Sequence, residues 1–411
     1  MTSASSADAT ITDTAATAVS GHAASSLLVC LPPLPPEVLD SMLANLSQAF
    51  AGEELLVATS DPVPKQQQRL GMKIVATSSK RMNAGWVLEA EDYDLAAGLS
   101  SEYEAQTVLL LGGSSTALSA EALYSLVDCI RSRQIDLAVP RFSLDVSNGL
   151  VNAALLYPLT RALFATNIRF PLPADAACSA RMIQRLSASR QSGRAASSSP
   201  LLWPVAEASS AGYSVREVEA GDASPPRPQE GEFNALFQSV AASLFTDIEA
   251  KASYWQRFRN RSALTADKIP LSADHAPIPA ETGSEIGDMI DAFLLAQANL
   301  QEIWSLVLPP QSRLALKKLS LGPAESFAFD PHLWARVVYD FTLAFHLRTL
   351  NRGHLLGAMM PLYLAWAASH LLAANNDPAR AERHIETTAA CFELEKSYLV
   401  SRWRWPDRFN P

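Results

Sequence analysis

Residues 149–180 hold three charged side chains, Arg161, Arg169 and Asp175, in a run that is otherwise apolar or small. Two guanidinium groups and one carboxylate in such surroundings need either a ligand or each other. Arginine pairs readily with carboxylate or phosphate, and an arginine beside an aspartate can equally be a buried or partly buried ion pair. Asp175 lies in PLPADAACS, where the prolines favour a rigid turn over a helix and so an exposed position. A second candidate is the turn Gly112-Gly113-Ser114-Ser115 after the apolar run QTVLLL. Backbone amides at such a strand end can cradle a phosphate. The turn lacks the Walker lysine and the Rossmann glycine spacing, so a plain tight turn fits it as well. The four cysteines, Cys30, Cys129, Cys178 and Cys391, lie far apart at no metal spacing and read as free buried thiols in a reducing, cytoplasmic compartment. His332, His346, His354, His370 and His384 make no ligand pair and read as ordinary surface or capped histidines.

The elements that must position these residues alternate between strand and helix. Residues 26–33 and 54–60 (ELLVATS, ending at Asp61-Pro62) read as buried parallel strands flanking a helix over 37–50. Residues 73–76 add a short strand, 92–99 a helix, 106–111 a central strand, 120–132 a helix, and 213–218 a later strand. The run 135–139 reads as a strand closed by Pro140, and 149–164 as a helix interrupted at Pro158. The alternation predicts a parallel sheet whose site lies at the carboxyl edge. Residues 187–200 read as a flexible loop, and a polar break over 220–231 as a domain boundary. From residue 232 onward helical patterns dominate: 233–258, 286–307, 312–319, 333–350, 352–372 and 378–402, separated by a polar linker over 261–282. Trp334 and Phe341, seven apart, share a face.

The chain has 411 residues, 48% of them apolar and 18% charged, enough for two packed cores. A formal charge of −9 excludes a broad nucleic-acid-binding surface. The first 25 residues lack the basic start and apolar core of a signal peptide and read as a disordered tail. The uncharged run 355–372 carries Pro361, Tyr363, Ser369 and His370, which favours a buried helix over a membrane span.

Several of these pieces together resemble a family. Val139-Pro140-Arg141-Phe142, the string Tyr157 to Leu163 (YPLTRAL), Arg169 with Pro171, and Ala174-Asp175 resemble matching stretches in nucleotide-sugar glycosyltransferases of GT-A fold with an added C-terminal helical domain. This is the group of mannosylglycerate synthase and glucosyl-3-phosphoglycerate synthase. A helical segment at 333–341 and the string Leu362-Tyr363-Leu364 extend the resemblance over residues 26–372. It implies a GT-A-type, mostly parallel sheet domain over 26–225 and an all-helical domain over 226–411. It also implies a nucleotide-sugar donor and a small or glycan acceptor. Asp61 matches an aspartate that contacts the nucleotide, Asp175 one in the acceptor-side turn, and Arg161 and Arg169 arginines close to the cleft. Asp175 would then orient or deprotonate the acceptor, while Arg161, Arg169 and the Gly112, Gly113, Ser114 turn carry the diphosphate.

The resemblance fails at the metal. The family's aspartate-x-aspartate falls on Gly112 and Ser114, Leu201 stands where an acid begins the helix of Trp203, and no histidine occurs over 220–232. Neither a glycine nor a serine supplies a carboxylate to a hard cation. The expectation is therefore a hexosyltransferase-like protein without the usual divalent ion and without another cofactor. The alternative is an inactive homologue serving as a binding or partner subunit, alone or as a homo-oligomer.

Overall fold

The computed structural model describes residues 27–60, 71–77, 87–113, 118–192, 201–222, 233–257 and 282–406. The tail over 1–25, Asp61, Ser114 and most of the 187–200, 220–231 and 261–282 segments lie outside the described residues. Seven strands form one sheet: β1 (Leu27–Cys30), β2 (Leu55–Thr59), β3 (Met72–Ala76), β4 (Thr107–Leu110), β5 (Leu137–Ser143), β6 (Ala176–Ser179) and β7 (Val215–Asp222). Their order is β3-β2-β1-β4-β6-β5-β7. Every pairing is parallel except those of β6, which runs antiparallel to both β4 and β5. This is the mostly parallel, GT-A-type sheet that the resemblance implies, and the described residues after it are mainly helical.

Alternation along each strand divides the sheet's burial between two faces. Leu27 and Val29 point into a core shared with α1 (Pro36–Ala49) and α3 (Ala120–Arg131). Leu28 and Cys30 point into the opposite core, made with α2 (Ala90–Glu102), α5 (Ala180–Ser192) and α6 (Pro204–Ala211). α3 starts where the Ser119 side chain accepts from the Ala122 amide, satisfying one unpaired donor of its first turn.

Three expectations need correction. β5 continues through Pro140 to Ser143 rather than stopping there. Pairing with β6 covers Leu137 and Ala138, so beyond them one edge of β5 is open and a missing amide costs little. α5 runs on to Ser192, so the first part of the 187–200 segment is helix. Ser187 Oγ donates to Asp94 and Gln184 Nε2 to the Ala97 carbonyl, which ties α5 to α2. The helix containing Pro158 does not break at proline: a π-helical turn over Asn152–Leu156 leads directly into α4 (Tyr157–Phe164).

The helical part comprises α7 (Phe233–Ala250), α8 (Ala252–Trp255), α9 (Thr282–Asn299), α10 (Gln301–Val307), α11 (Pro310–Ser320), α12 (Pro331–Leu347), α13 (Arg352–Ala374) and α14 (Pro378–Arg404). The expected helix over 286–307 is two, divided at Leu300. Its core is continuous with α4: Ala154, Tyr157 and Leu163 share one apolar cluster with Phe245, Trp334, Phe341 and Trp366. Among the described residues one helix, Arg352–Ala374, is long and apolar enough to cross a membrane, and most of it is buried inside the protein. Phe341 is fully buried in this core. Replacing it with alanine should cost about 3–5 kcal/mol in chemical denaturation, and a loss below about 1 kcal/mol would contradict this packing.

Candidate functional site

The strand order reverses at β1, whose neighbours are β2 and β4, and open α/β sheets bind ligands in the crevice at such a point. A small cavity of about 30 Å³ opens there, lined by Cys30 of β1 and Leu31 after it, Leu110 of β4 with Leu111 and Gly112 after it, Thr77 after β3, and Val87, Leu88, Asp92 and Leu95 of α2 and its approach. Its wall is of mixed polarity, with Asp92 as a carboxylate in the first turn of α2. The Asp92 side chain accepts from the Glu89 amide at 2.7 Å, which fixes it at the cavity's rim. Burial, and then the nearby Asp92 charge, push the Cys30 thiol up to about 12, so it is no nucleophile.

Gly112 and Asp175 meet at this edge. Asp175 is fully buried and accepts from the Gly112 amide at 2.8 Å. A Cβ on residue 112 would lie 2.4 Å from the Ala174 carbonyl oxygen, so the end of β4 and the 174–175 turn are in direct backbone contact. The turn is also tied to α2's approach, because Leu88 N–H donates to the Pro173 carbonyl at 3.2 Å. One amide of the expected phosphate cradle is thus engaged by Asp175. Gly113 follows, half-buried, at the limit of the described segment.

Arg161 and Arg169 form a second grouping, around Tyr157. The Arg169 guanidinium lies 4.8 Å from the ring centroid and that of Arg161 5.9 Å. Both face the last helix. Arg161 donates to Glu386 at 2.6 Å and to Glu393 at 3.2 Å, and Tyr157 OH donates to Glu386 at 2.8 Å. Arg169 pairs with Glu382 at 3.7 Å, and Arg141 of β5 reaches the same carboxylate at 3.2 Å. Burial pulls the Arg169 guanidinium below its usual range, with Glu382 and Tyr157 opposing. Burial acts the same way on Arg161, but Tyr157 and Glu393 outweigh it and hold it above.

Glu217 of β7 sits beneath this group. Its side chain is 7% exposed, its carboxylate lies 3.8 Å from Arg141, and it accepts from the Arg169 amide. Burial dominates, against the pull of Arg141, and raises its pKa to about 7. His370 of α13 is fully buried, which corrects its reading as a surface histidine. It meets His384 Nδ1 to Nδ1 at 3.0 Å and stacks on Trp366. Burial, then His384 and Arg169, hold it neutral with a pKa lowered to about 3.

Sequence reasoning singled out Arg161, Arg169, Asp175 and Gly112 but not the residues that answer them. Glu382, Glu386 and Glu393 repeat at i, i+4 and i+11, one face of a helix of 3.6 residues per turn, and that spacing was the available signal. Among the described residues no three His, Cys, Asp or Glu side chains are grouped to hold a metal ion.

No family model and no curated protein sequence matches the chain. Solved structures similar to parts of it include glucosyl-3-phosphoglycerate synthase from Mycobacterium tuberculosis with Mn2+, UDP and glucosyl-3-phosphoglycerate. That comparison gives 16% identity over 54% of this chain and 80% of that one, at a TM-score of 0.39. The same enzyme with Mn2+, UDP and phosphoglyceric acid gives 16% identity over 54% and 78%, at 0.38. A CMP:2-keto-3-deoxy-manno-octonic acid synthetase complexed with CTP gives 15% identity over 52% and 96%, at 0.33.

Two outcomes test this geometry. Gly112→Ala should lower the unfolding free energy by about 1–3 kcal/mol, since backbone must move to admit the methyl group, and unchanged urea denaturation would refute the contact. Glu217 is held above its ordinary 4.5, so its contribution is greatest while protonated and is lost as pH rises from about 4.5 through about 7. The stability gained by Glu217→Gln should therefore grow across that window, to at most about 3 kcal/mol. A difference that stays constant with pH would show that Glu217 is not the group titrating.

Proposed function

We propose that this chain is a glycosyltransferase-like protein that binds the nucleotide of a sugar-nucleotide donor at the mouth of the cavity between β1 and β4. It would do so without a bridging divalent ion. The observation that carries the reading is the backbone contact at Gly112. The family's first metal carboxylate falls on a position where any side chain would strike the Ala174 carbonyl. The crevice is too narrow to enclose a base, so the donor would lie at its mouth, where Asp92 offers an acceptor for a base or ribose donor. Asp61 and Ser114 remain the candidate contacts from the neighbouring strand ends. Asp175 would then act by holding the Gly112 turn against the donor, and hexose transfer to a small acceptor is the reaction such a site would serve.

A second reading, a homologue that binds but does not transfer, draws support from the arginines. Arg141, Arg161 and Arg169 are met by Glu217, Glu219, Glu382, Glu386 and Glu393. A diphosphate approaching that group would meet at least as much negative charge as positive. Those arginines could serve a donor only after the glutamates of α14 turned away.

Calorimetric titration with UDP- and GDP-sugars, first with manganese and then with EDTA, tests the proposal. Binding is expected in both conditions and should weaken on replacing Asp92 with alanine. Binding that requires manganese and is abolished by EDTA would overturn the metal-free site, and no binding in either condition would overturn the donor site itself. Sugar release or transfer in the bound state separates the two readings.

A further inference from the structure

Three helices of the bundle end at one edge of the protein. α12 finishes at Leu347 with Arg348 as its C-cap, α14 at Arg404 with Trp405 as its C-cap, and α8 at Trp255, followed by Gln256 and Arg257. Side-chain contacts join the three ends into one surface. Trp403 stacks on His346 with ring centroids 4.1 Å apart and meets Trp255 edge-on at 5.1 Å. Arg404 donates to the Gln256 side chain at 3.2 Å and to its carbonyl at 3.3 Å. Glu249 of α7 meets His346 Nδ1 at 3.1 Å and Arg352 of α13 at 3.8 Å. The Arg352 guanidinium also lies 4.1 Å from the Phe345 ring centroid.

Apolar and basic side chains are exposed together on this surface. Trp405 is 62% exposed and Leu347 46%, and an exposed arginine adjoins each of them, Arg404 and Arg348. Arg257 and Arg352 are exposed as well. Against these guanidinium groups the contacts just described bring in one carboxylate, Glu249. The edge is therefore locally basic in a chain whose net charge is −9. Arginine at a helix C-terminus is favourable by itself, because it faces the negative end of the helix dipole. That accounts for Arg348 and Arg404, but not for an indole and a leucine left in water beside them. An indole with guanidinium neighbours suits the boundary between water and hydrocarbon, where the ring sits at headgroup depth and arginines reach phosphates.

We propose that this edge docks the protein on an anionic lipid bilayer. Trp405 and Leu347 enter the headgroup region, and Arg257, Arg348, Arg352 and Arg404 lie over acidic headgroups. Neither set is sufficient alone. Two apolar side chains bury too little area to hold a protein at a neutral membrane, and arginines without them are weakened by salt. Together they supply the two signals that stable peripheral attachment needs. The rest of the chain carries the excess negative charge, so an anionic surface attracts this edge and repels the others, which sets the orientation. A nucleic acid would meet the same arginines, but it has no hydrocarbon to receive Leu347. That side chain favours the bilayer.

Co-sedimentation of the full chain with vesicles tests this, using phosphatidylcholine alone and phosphatidylcholine mixed with phosphatidylglycerol. Binding is expected to the mixed vesicles only, and it should fall away as sodium chloride rises from about 0.1 M to about 0.5 M. Each arginine contributes about fivefold to partitioning, so Arg257→Glu with Arg348→Glu should weaken binding by at least about twenty-five-fold. Trp405→Ala should weaken it too and leave the melting curve unchanged, because the indole is exposed. Lys317→Glu with Lys318→Glu makes the same change of charge on α11 and should leave binding as it was. No binding to mixed vesicles, equal binding to both kinds, indifference to Trp405→Ala, or an equal loss in the α11 variant would each overturn the proposal. Tighter binding to a DNA oligonucleotide than to the mixed vesicles would overturn it as well, and would make this edge a nucleic-acid surface.

Discussion

The junction between the sheet and the helical bundle depends on one missing amide. Pro158 has no N–H to give to the Ala154 carbonyl one turn earlier, and that carbonyl lies in a fully buried segment. The backbone responds with a π-helical turn over Asn152–Leu156, closed by the Tyr157 amide on the Asn152 carbonyl. The Ala154 carbonyl then accepts from Trp334 Nε1 of α12 at 2.9 Å. A lone buried carbonyl would cost free energy, so the proline obliges the chain to bring a donor from 180 residues away. Trp334 satisfies it and fills the core at the same time, stacking on Trp366 and meeting Phe329 edge-on. The position of α12, and of the helices packed on it, follows.

With α12 fixed, α14 is fixed as well, and its glutamates meet the arginines. Asp340 of α12 lies buried, accepting from Tyr398 at 2.8 Å and pairing with Arg402 at 3.1 Å. Burial raises the Asp340 pKa to about 7 against the opposing pull of Arg402 and Tyr398. That pairing anchors the far end of α14, while the Asp377 cap on the Ala379 amide sets its start. Between them Glu382, Glu386 and Glu393 have little choice of direction. Arginines this close to apolar surroundings are tolerated because each has a carboxylate within reach. The same pairing makes the group unattractive to a free anion.

The central strands were legible because buried parallel strands are continuous apolar runs: β1, β2 and β4 fall within the stretches read from the sequence. β6 escaped because AACS is four small residues long and nothing in it signals a reversed direction. Gly112 illustrates a different limit. Its identity could be read as the loss of a carboxylate, but the cause, a carbonyl from residue 174 against it, requires the fold. Arg161 and Arg169 were recognisable as charges needing partners. The partners lie more than 200 positions onward, and no local pattern relates the two.

These two features constrain each other. The contact of Gly112 with the 174–175 turn draws β4's end towards β6, and Asp175 reinforces it by taking the Gly112 amide. Any side chain at 112 would have to push the turn away. With glycine there the turn closes down, and the residues just before it, Arg169 among them, lie buried under α14. Closure of the turn and pairing of the arginines are thus compatible within one arrangement. A side chain at 112 could be accommodated only if the Ala174 carbonyl, and with it the Asp175 carboxylate that holds the Gly112 amide, moved first.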